Sequence, residues 1–231
     1  MPGSRRGRNR WLWVGFAAVA LVFSARPGAA ANVPAPVFDP PEHAASETAT
    51  LSGGCFWGMQ GVYEHVKGVT RVYAGYTGGA ADTAQYETVS TGTTGHAESV
   101  QITFNPQVIS YGKILQIYFA VAADPTELNY QGPDSGTQYR SEIWVGSPEQ
   151  TQVADAYIAQ LTKAQVFGAP IVVRVDPAQP FYQAETYHQD FLVLHPDYPY
   201  IVFNDLPKVQ NLKAMFPANY QANAVTVFAG D

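Results

Sequence analysis

The sequence contains a single cysteine, Cys55, among 231 residues. One cysteine excludes an internal disulfide, and it excludes the paired-cysteine zinc sites that structural metal domains use. The histidines do not supply metal-binding spacing in its place; the relevant ones are His65, His96, His188 and His195. We therefore expect no metal and no other cofactor. In an exported protein, an odd cysteine points to a reactive thiol or to a bond with another chain.

Basic residues are also scarce in most of the chain. Five of the 13 lysines and arginines precede residue 32, whereas all 19 acidic residues follow it. From residue 32 onward, 8 basic residues therefore face 19 acidic ones, a formal charge of −11. Such an acidic surface repels phosphate backbones, and we expect no nucleic-acid binding.

A hydrophobic run long enough to span a bilayer is missing too. Four arginines among residues 5–10 precede an uncharged apolar run from Trp11 to Phe23, and small residues lead to Ala31. The run is shorter than the roughly 20 residues of a spanning helix, so a permanent anchor is the less favoured alternative. The pattern predicts a signal peptide over residues 1–31 and an exported protein, periplasmic or secreted. A proline-rich linker over 32–46 and one catalytic domain over 47–231 follow.

Alternating and helical patterns predict an α+β fold. Strands are predicted at 48–52, 69–76, 99–104, 141–146 and 171–175. One helix is predicted from Met59, a second after a Ser110 cap, and a third after a Ser147 cap with a Gln150 capping box. This order favours a two-layer α/β sandwich with a mixed or antiparallel sheet and a split βαβ (ferredoxin-like) core. The tail from His195 is predicted to form long C-terminal loops.

Cys55 lies between the first predicted strand and the first predicted helix. Free backbone N–H groups and the helix dipole at such a corner stabilise an anion, so we expect a lowered thiol pKa and a nucleophilic thiolate. The glycines at 53, 54 and 58 permit a tight turn and leave room around the sulfur. The alternative, a buried cysteine packed as a small hydrophobe, leaves these glycines and the Phe56–Trp57 pair unexplained.

Five motifs resemble the A-type peptide methionine sulfoxide reductase family, in that family's order. They extend over roughly residues 47–217 and are Gly-Cys-Phe-Trp-Gly at 54–58, Gly-Tyr-Thr-Gly-Gly at 75–79, Thr-Gly-His-Ala-Glu at 94–98, Gly-Thr-Gln-Tyr-Arg-Ser at 136–141, and Phe-Tyr-Gln-Ala-Glu at 181–185 with Tyr-His-Gln at 187–189. The resemblance implies the family's α+β core. It also implies reduction of the S epimer of methionine sulfoxide, in proteins or free.

The resemblance assigns roles to particular residues. Cys55 would attack the sulfoxide sulfur, while Phe56 and Trp57 would pack against the methyl group. Glu98 would protonate the oxygen, which requires burial that raises its pKa.

Three further residues match family positions. Tyr86 and Tyr139 would hold the oxygen through their hydroxyls, and Asp134 would hold water or substrate.

Two departures and one absence qualify the resemblance. Ala123 stands where the family often has histidine, and Pro133 stands where it commonly has asparagine, which puts the role of Asp134 in doubt. Many members also use a second, resolving cysteine, which this sequence lacks. The Cys55 sulfenic acid would then be recycled by an external small thiol or a thioredoxin-like protein.

Two other functions remain open from the sequence. One is an exported cysteine hydrolase or acyltransferase, with Cys55 activated by His96 or His188. The other is a non-enzymatic exported binding domain whose Cys55 pairs with a partner chain. Neither gives a purpose to Glu98 or to the aromatic pair.

Overall fold

The computed structural model describes residues 32–228, so the predicted signal peptide lies outside the described residues. The strands are β1 Glu47–Ser52, β2 Val69–Thr77, β3 Ala97–Phe104, β4 Tyr130–Gln131, β5 Asp134–Ser135, β6 Glu142–Val145, β7 Arg174–Pro177 and β8 Phe181–Gln183. The α-helices are α1 Phe56–Glu64, α2 Tyr86–Val89, α3 Tyr111–Ile117, α4 Pro148–Lys163, α5 Phe191–Leu194 and α6 Leu206–Met215. Within this part of the chain, no helix has the length and apolarity of a membrane span.

Six strands form one mixed sheet in the order β7-β6-β1-β3-β2-β8. Strand β3 lies between β1 and β2 and is antiparallel to both, so β1, α1 and β2 form a split βαβ unit. At the other edge, β7 runs parallel to β6 after the α4 crossover. The predicted α+β class, mixed sheet and split βαβ core are confirmed.

Helices cover the sheet and enclose the core. Helix α1 packs on β2 and β3, α4 packs on β6 and β7, and α3 packs against α4. The central strand carries Val100, Ile102 and Phe104, all fully buried at alternate positions, as expected when one strand face meets a helical layer. Helix α3 continues into a π-helical turn, Tyr118–Ala122, which brings Tyr118 beneath the end of β1.

Both predicted serine caps are confirmed. The Ser110 hydroxyl accepts from the Lys113 N–H at 3.2 Å, and the Ser147 hydroxyl accepts from the Gln150 N–H at 3.1 Å. The predicted capping box is wrong by one residue, because the Gln150 side chain accepts from the Gly146 N–H instead of the Ser147 N–H. Each cap satisfies a backbone donor that the first helical turn leaves free.

The last predicted strand is displaced along the chain. Pairing with β6 begins at Arg174 instead of residue 171, because the Val172 N–H donates to the Pro125 carbonyl and is lost to the sheet. Strand β8 then extends the opposite edge by pairing with β2, which the alternation pattern did not predict.

The C-terminal region contains long irregular stretches, as predicted, and also helices that were not predicted. A π-helical turn, Ile201–Asp205, leads into α6, which buries Val209 and Leu212 and packs on α1. Polar and apolar residues are mixed so evenly in α6 that its inner face is defined by its contacts with α1 and with the π-helical turn Tyr118–Ala122.

Residues 32–46 contain no helix or strand, yet they contact the helical layer. The carbonyls of Val33, Pro34 and Ala35 accept hydrogen bonds from the side chains of Gln116, Tyr157 and Gln160, at 2.8, 2.6 and 2.9 Å respectively. The Asp39 carboxylate accepts from the Ser110 hydroxyl and from the N–H of residue 112 at the start of α3. This extended segment therefore lies along α3 and α4.

Candidate active site

Cys55 is the N-cap of α1, with φ −56° and ψ 125°. The approach to it requires glycine at two positions. Gly54 has φ +89°, a conformation that L side chains rarely adopt, and a Cβ on Gly53 would lie 2.7 Å from the Ala123 Cβ. The predicted strand-to-helix corner is therefore present, and its tight turn places the thiol at the N-terminus of α1.

The surroundings of the thiol change the expected pKa. Desolvation, followed by the charges of Glu98 and Asp205, raises the pKa of the half-buried Cys55 well above its ordinary value. The Trp57 backbone N–H acts in the opposite direction but is outweighed, and Asp134 adds a further rise. The lowering predicted from the helix N-terminus alone is wrong, because the tertiary fold buries the thiol and places carboxyl groups near it.

Glu98 is the second residue of β3 and is 3% exposed. Its Oε2 accepts from the Phe56 backbone N–H at 3.0 Å, which ties the carboxyl to the first residue of α1. Burial raises the pKa of Glu98 to about 8, against the opposing effect of this N–H and with a further rise from Asp134. Glu98 is therefore mainly a carboxylic acid at neutral pH, in the protonation state that donation to an oxygen requires.

An aromatic wall faces the thiol. Phe56 is buried, with its ring centroid 5.0 Å from that of His188. Trp57 stacks on Phe191 at 3.8 Å and donates its indole N–H to His188 Nδ1 at 3.1 Å. Both Phe56 and Trp57 line the same pocket of about 240 Å³ as Cys55, so together they can pack against one small apolar group.

Two predicted tyrosines reach this pocket from different elements. Tyr86 begins α2, where its backbone N–H donates to Glu185, and Tyr139 ends a 3₁₀ turn. Burial, followed by the charge of Glu98, raises the pKa of each tyrosine hydroxyl. Both hydroxyls therefore stay protonated at neutral pH and are available as hydrogen-bond donors in the pocket.

Asp134 also lines the pocket, despite the Pro133 departure from the family pattern. It lies on β5 of the small hairpin formed with β4, after a cis peptide bond between Gly132 and Pro133. Its carboxylate accepts a hydrogen bond from the Tyr200 hydroxyl. Burial raises the pKa of Asp134, while Tyr200 and Lys208 act in the opposite direction.

Sequence reasoning missed three residues of the C-terminal region. Tyr198 and Tyr200 complete the pocket wall, and each ring meets Trp57 nearly edge-on, with centroids 6.1 and 5.9 Å apart. Asp205 packs against α1, where a Cβ on Gly58 would lie 2.1 Å from its Oδ1. No local motif marks these residues; the aromatic-rich segment at 198–203 was the only available signal.

Asp205 is an unusual group for its position. It is fully buried, neither carboxylate oxygen accepts a hydrogen bond, and the Lys208 Nζ lies 3.6 Å from its Oδ1. Burial raises the pKa of Asp205 to about 6, with Lys208 acting in the opposite direction. Its charge in turn raises the pKa of both Cys55 and Glu98.

Neither candidate histidine lines the Cys55 pocket. His96 is buried, and its Nε2 lies 2.9 Å from the Ala80 carbonyl. His188 accepts from Trp57, and burial lowers its pKa to about 4. Neutral His188 therefore orients the indole. Among residues 32–228, no three histidine, cysteine or carboxylate side chains are grouped so as to hold a metal ion.

Residues 47–220 match the family model for peptide methionine sulfoxide reductase. Peptide methionine sulfoxide reductase MsrA 2 of Mesorhizobium japonicum is 60% identical over 184 residues, which cover 80% of this chain and 94% of that protein. Peptide methionine sulfoxide reductase MsrA of Saccharolobus solfataricus is 47% identical over 171 residues, 74% of this chain and 95% of that protein.

A solved structure is similar as well. Reduced Mxr1 from Saccharomyces cerevisiae superposes with a TM-score of 0.60 at 30% identity, covering 70% of this chain and 92% of that one. The fold and the pocket define an α+β protein in which a cysteine thiol and a protonated carboxyl group line one pocket. The chain belongs to the peptide methionine sulfoxide reductase family. It is an oxidoreductase that reduces methionine sulfoxide.

Proposed function

We propose that this enzyme reduces the S epimer of methionine sulfoxide, in proteins or free, through a sulfenic acid on Cys55 that an external thiol recycles. The observation that carries the proposal is one pocket that contains both the Cys55 thiol and a protonated Glu98. The Phe56 N–H binds Glu98, and the Phe56 ring lines the same pocket, so acid and apolar wall are fixed relative to each other.

The chemical step follows from this arrangement. The Cys55 Sγ bonds to the sulfoxide sulfur, Glu98 gives its proton to the oxygen, and the thiol proton replaces the proton on Glu98. The Tyr86 and Tyr139 hydroxyls donate to the oxygen as its charge develops. The oxygen then forms a bond to the Cys55 sulfur while its bond to the methionine sulfur and the sulfur–sulfur bond both break, which leaves Cys55–SOH and releases methionine. The net change is transfer of one oxygen atom, with no protons gained or lost.

Because the pKa of the Cys55 thiol is raised, we expect substrate binding to promote formation of the thiolate. A sulfoxide carries partial positive charge on sulfur, and opposite charge near a thiol favours the thiolate. The nucleophile is thus generated where substrate is already present.

Recycling requires two external thiols, because Cys55 is the single cysteine of the sequence. The first condenses with Cys55–SOH to give a mixed disulfide and water, and the second releases Cys55 as the thiol and leaves as the external disulfide. A small thiol or a thioredoxin-like protein has this chemistry. Without it, Cys55–SOH is exposed to oxidation to sulfinic acid, which ordinary thiols do not reverse.

Single turnover without reductant tests the cycle. Each chain should produce one methionine from the S epimer, none from the R epimer, and a Cys55 adduct with dimedone, a reagent for sulfenic acids. Cys55→Ser is the control for the adduct. Two methionines per chain without an adduct, or equal turnover of both epimers, would contradict the proposed cycle.

The alternative function, a cysteine hydrolase or acyltransferase, is not favoured by the site. It needs a histidine beside Cys55, whereas His188 is engaged with the Trp57 indole and His96 with the Ala80 carbonyl. Hydrolysis of activated esters by the wild type, lost in Cys55→Ser and unaccompanied by sulfoxide reduction, would support the alternative.

Export is part of the proposal. The basic head, short apolar run and small residues before residue 32 support removal of the leader near Ala31 and a periplasmic or secreted enzyme. Mass spectrometry on protein from its native host should find an N-terminus close to Asn32 in the exported fraction. An intact Met1 start on soluble cytosolic protein would contradict this.

A further inference from the structure

Exposed apolar side chains are concentrated in one short stretch. Eleven large apolar side chains are exposed among residues 32–228, and five of them lie within residues 187–203. These five form what is here termed the apolar rim: Tyr187, Leu194, Tyr198, Val202 and Phe203. The Phe203 side chain is 78% exposed, whereas phenylalanine side chains in folded proteins are usually buried. A concentration of this kind marks an interaction surface more often than chance exposure does.

The apolar rim is continuous with the wall of the Cys55 pocket. Tyr198 lines the pocket, and the Val202 N–H donates to the Tyr198 carbonyl at 3.0 Å, so Val202 follows it by one helical turn. Phe203 follows the pocket-lining Tyr200 by three residues through the same turn. Side chains three or four residues apart in a helix share a face, so Val202 and Phe203 extend the two tyrosine faces outward.

The other members join the same wall. Leu194 follows Phe191 by three residues in α5, and Phe191 stacks on Trp57. The Tyr187 ring lies 4.3 Å from that of His188, the acceptor of the Trp57 indole N–H. The apolar rim therefore surrounds the Trp57 side of the pocket mouth.

The position of the substrate backbone indicates what binds to the apolar rim. If a methionine sulfoxide within a polypeptide enters the pocket, its own backbone must lie at the mouth. With a rise of about 3.3 Å per residue, the neighbours one and two positions away lie within roughly 7 Å of that point. Methionine is used in apolar cores and interfaces, and its oxidation disrupts them, so apolar neighbours become accessible.

We infer that the apolar rim binds the polypeptide on both sides of the oxidised methionine and selects apolar neighbours, an inference that rests on the proposed function. Apolar side chains in the substrate would cover Val202 and Phe203, and removal of both surfaces from water favours the complex. The recognised substrate class is then an unfolded or locally opened apolar segment that carries methionine sulfoxide.

Two blocked pentapeptides test this inference. Each carries the S epimer of methionine sulfoxide at its centre, flanked by glycines in one peptide and by leucines in the other. With saturating dithiothreitol, the wild type should show a kcat/KM about tenfold higher for the leucine peptide. In the double variant Val202→Ser with Phe203→Ser, that preference should fall to about twofold or less, while the glycine peptide is reduced as by the wild type. Val108→Ser, at a position 59% exposed outside the apolar rim, should keep the full preference.

The contrary outcomes are distinct. Equal kcat/KM for the two peptides in the wild type, an unchanged preference in the double variant, or an equal loss for both peptides would each overturn the inference and leave the proposed function standing. A loss seen only when thioredoxin replaces dithiothreitol would assign the apolar rim to the reductant and also overturn it. If the wild type reduces neither peptide nor free methionine sulfoxide, the proposed function fails, and the inference fails with it.

Discussion

The pocket around Cys55 has two walls of different construction. One wall comes from α1 and the central strand β3 and carries Cys55, Phe56 and Glu98. The other comes from the C-terminal region and carries Tyr198 and Tyr200. The first is held by backbone ladders on both sides of β3. The second depends on side-chain contacts, including the hydrogen bond from Tyr200 and the stacking of Phe191 on Trp57.

This difference in construction suggests different roles for the two walls: the first would carry the groups that react with the substrate, and the second would adjust their environment. Groups that exchange protons or bonds with the substrate need fixed geometry, which buried strands and helix ends provide. The C-terminal wall contributes shape and charge, because Tyr198 and Tyr200 line the pocket and the charge of Asp205 adds to the raised pKa of both Cys55 and Glu98. Changes in the first wall should therefore alter the chemical step most, and changes in the second should have smaller effects.

The largest effect is expected from Cys55→Ser. A hydroxyl is a much weaker nucleophile than a thiol at neutral pH, so sulfoxide reduction should be abolished while the fold remains. Methionine release and the thermal unfolding midpoint are the two measurements. Substantial activity in the folded variant would refute the role of Cys55 and the assignment of the first wall to chemistry.

Glu98→Gln should have the next largest effect. The amide keeps the shape but cannot protonate the oxygen, so single-turnover formation of the sulfenic acid should slow by roughly 10²–10⁴-fold. Glu64→Gln is the matched control, since Glu64 is also a buried carboxyl but ends α1 at the opposite end from Cys55. A near-wild-type rate in Glu98→Gln would show that the acid has been misassigned.

Tyr200→Phe should cost less, because it changes the second wall. It removes one hydrogen bond to the Asp134 carboxylate, and kcat/KM should fall by about tenfold, in line with loss of a hydrogen bond to a charged group. Tyr157→Phe removes a hydroxyl that donates to the Pro34 carbonyl outside the pocket, and it should leave kcat/KM unchanged. An effect of Tyr200→Phe as large as that of Glu98→Gln would erase the distinction between the two walls.

The smallest change in rate at pH 7, within about threefold, is expected from Asp205→Asn, whose main effect should be on pH dependence. In the wild type, the single-turnover rate should fall as pH rises through about 8, because Glu98 then loses its proton. Asp205 faces Glu98 together with Asp134, and Lys208 lies beside it. Removing the charge of Asp205 lowers the pKa of Glu98, so this decline should move to lower pH.

A stability measurement sharpens this prediction. The pKa of Asp205 in the fold, about 6, lies above its ordinary value of 3.8. Its contribution to stability is therefore full below pH 3.8 and is lost as pH rises through 6, so Asp205→Asn should not lower the unfolding midpoint at pH 8. Asp197→Asn, at an exposed position of the same region, should change neither property. If the pH dependence of the single-turnover rate is the same in Asp205→Asn as in the wild type, the charge of Asp205 does not affect the pKa of Glu98.

The fold class and one wall of the pocket could be predicted from local patterns in the sequence. Strand alternation and serine caps are local patterns, and the motif that contains Cys55 combines glycines, nucleophile and aromatic wall within six residues. Sequence also located Glu98 through its motif and required its burial. Local interactions decide these features, because each depends on neighbours within a few residues along the chain.

The second wall and the protonation states depend on contacts between residues far apart in the sequence. Asp205 lies 150 residues from Cys55 along the chain, and no local pattern links them. Burial of the thiol is the largest cause of its raised pKa, and the charges of Glu98 and then Asp205 add to it, which reverses the expectation based on the helix N-terminus alone. The physical reason is that desolvation and charge act through space, so the pKa of a site belongs to the packed molecule and not to the segment that carries it.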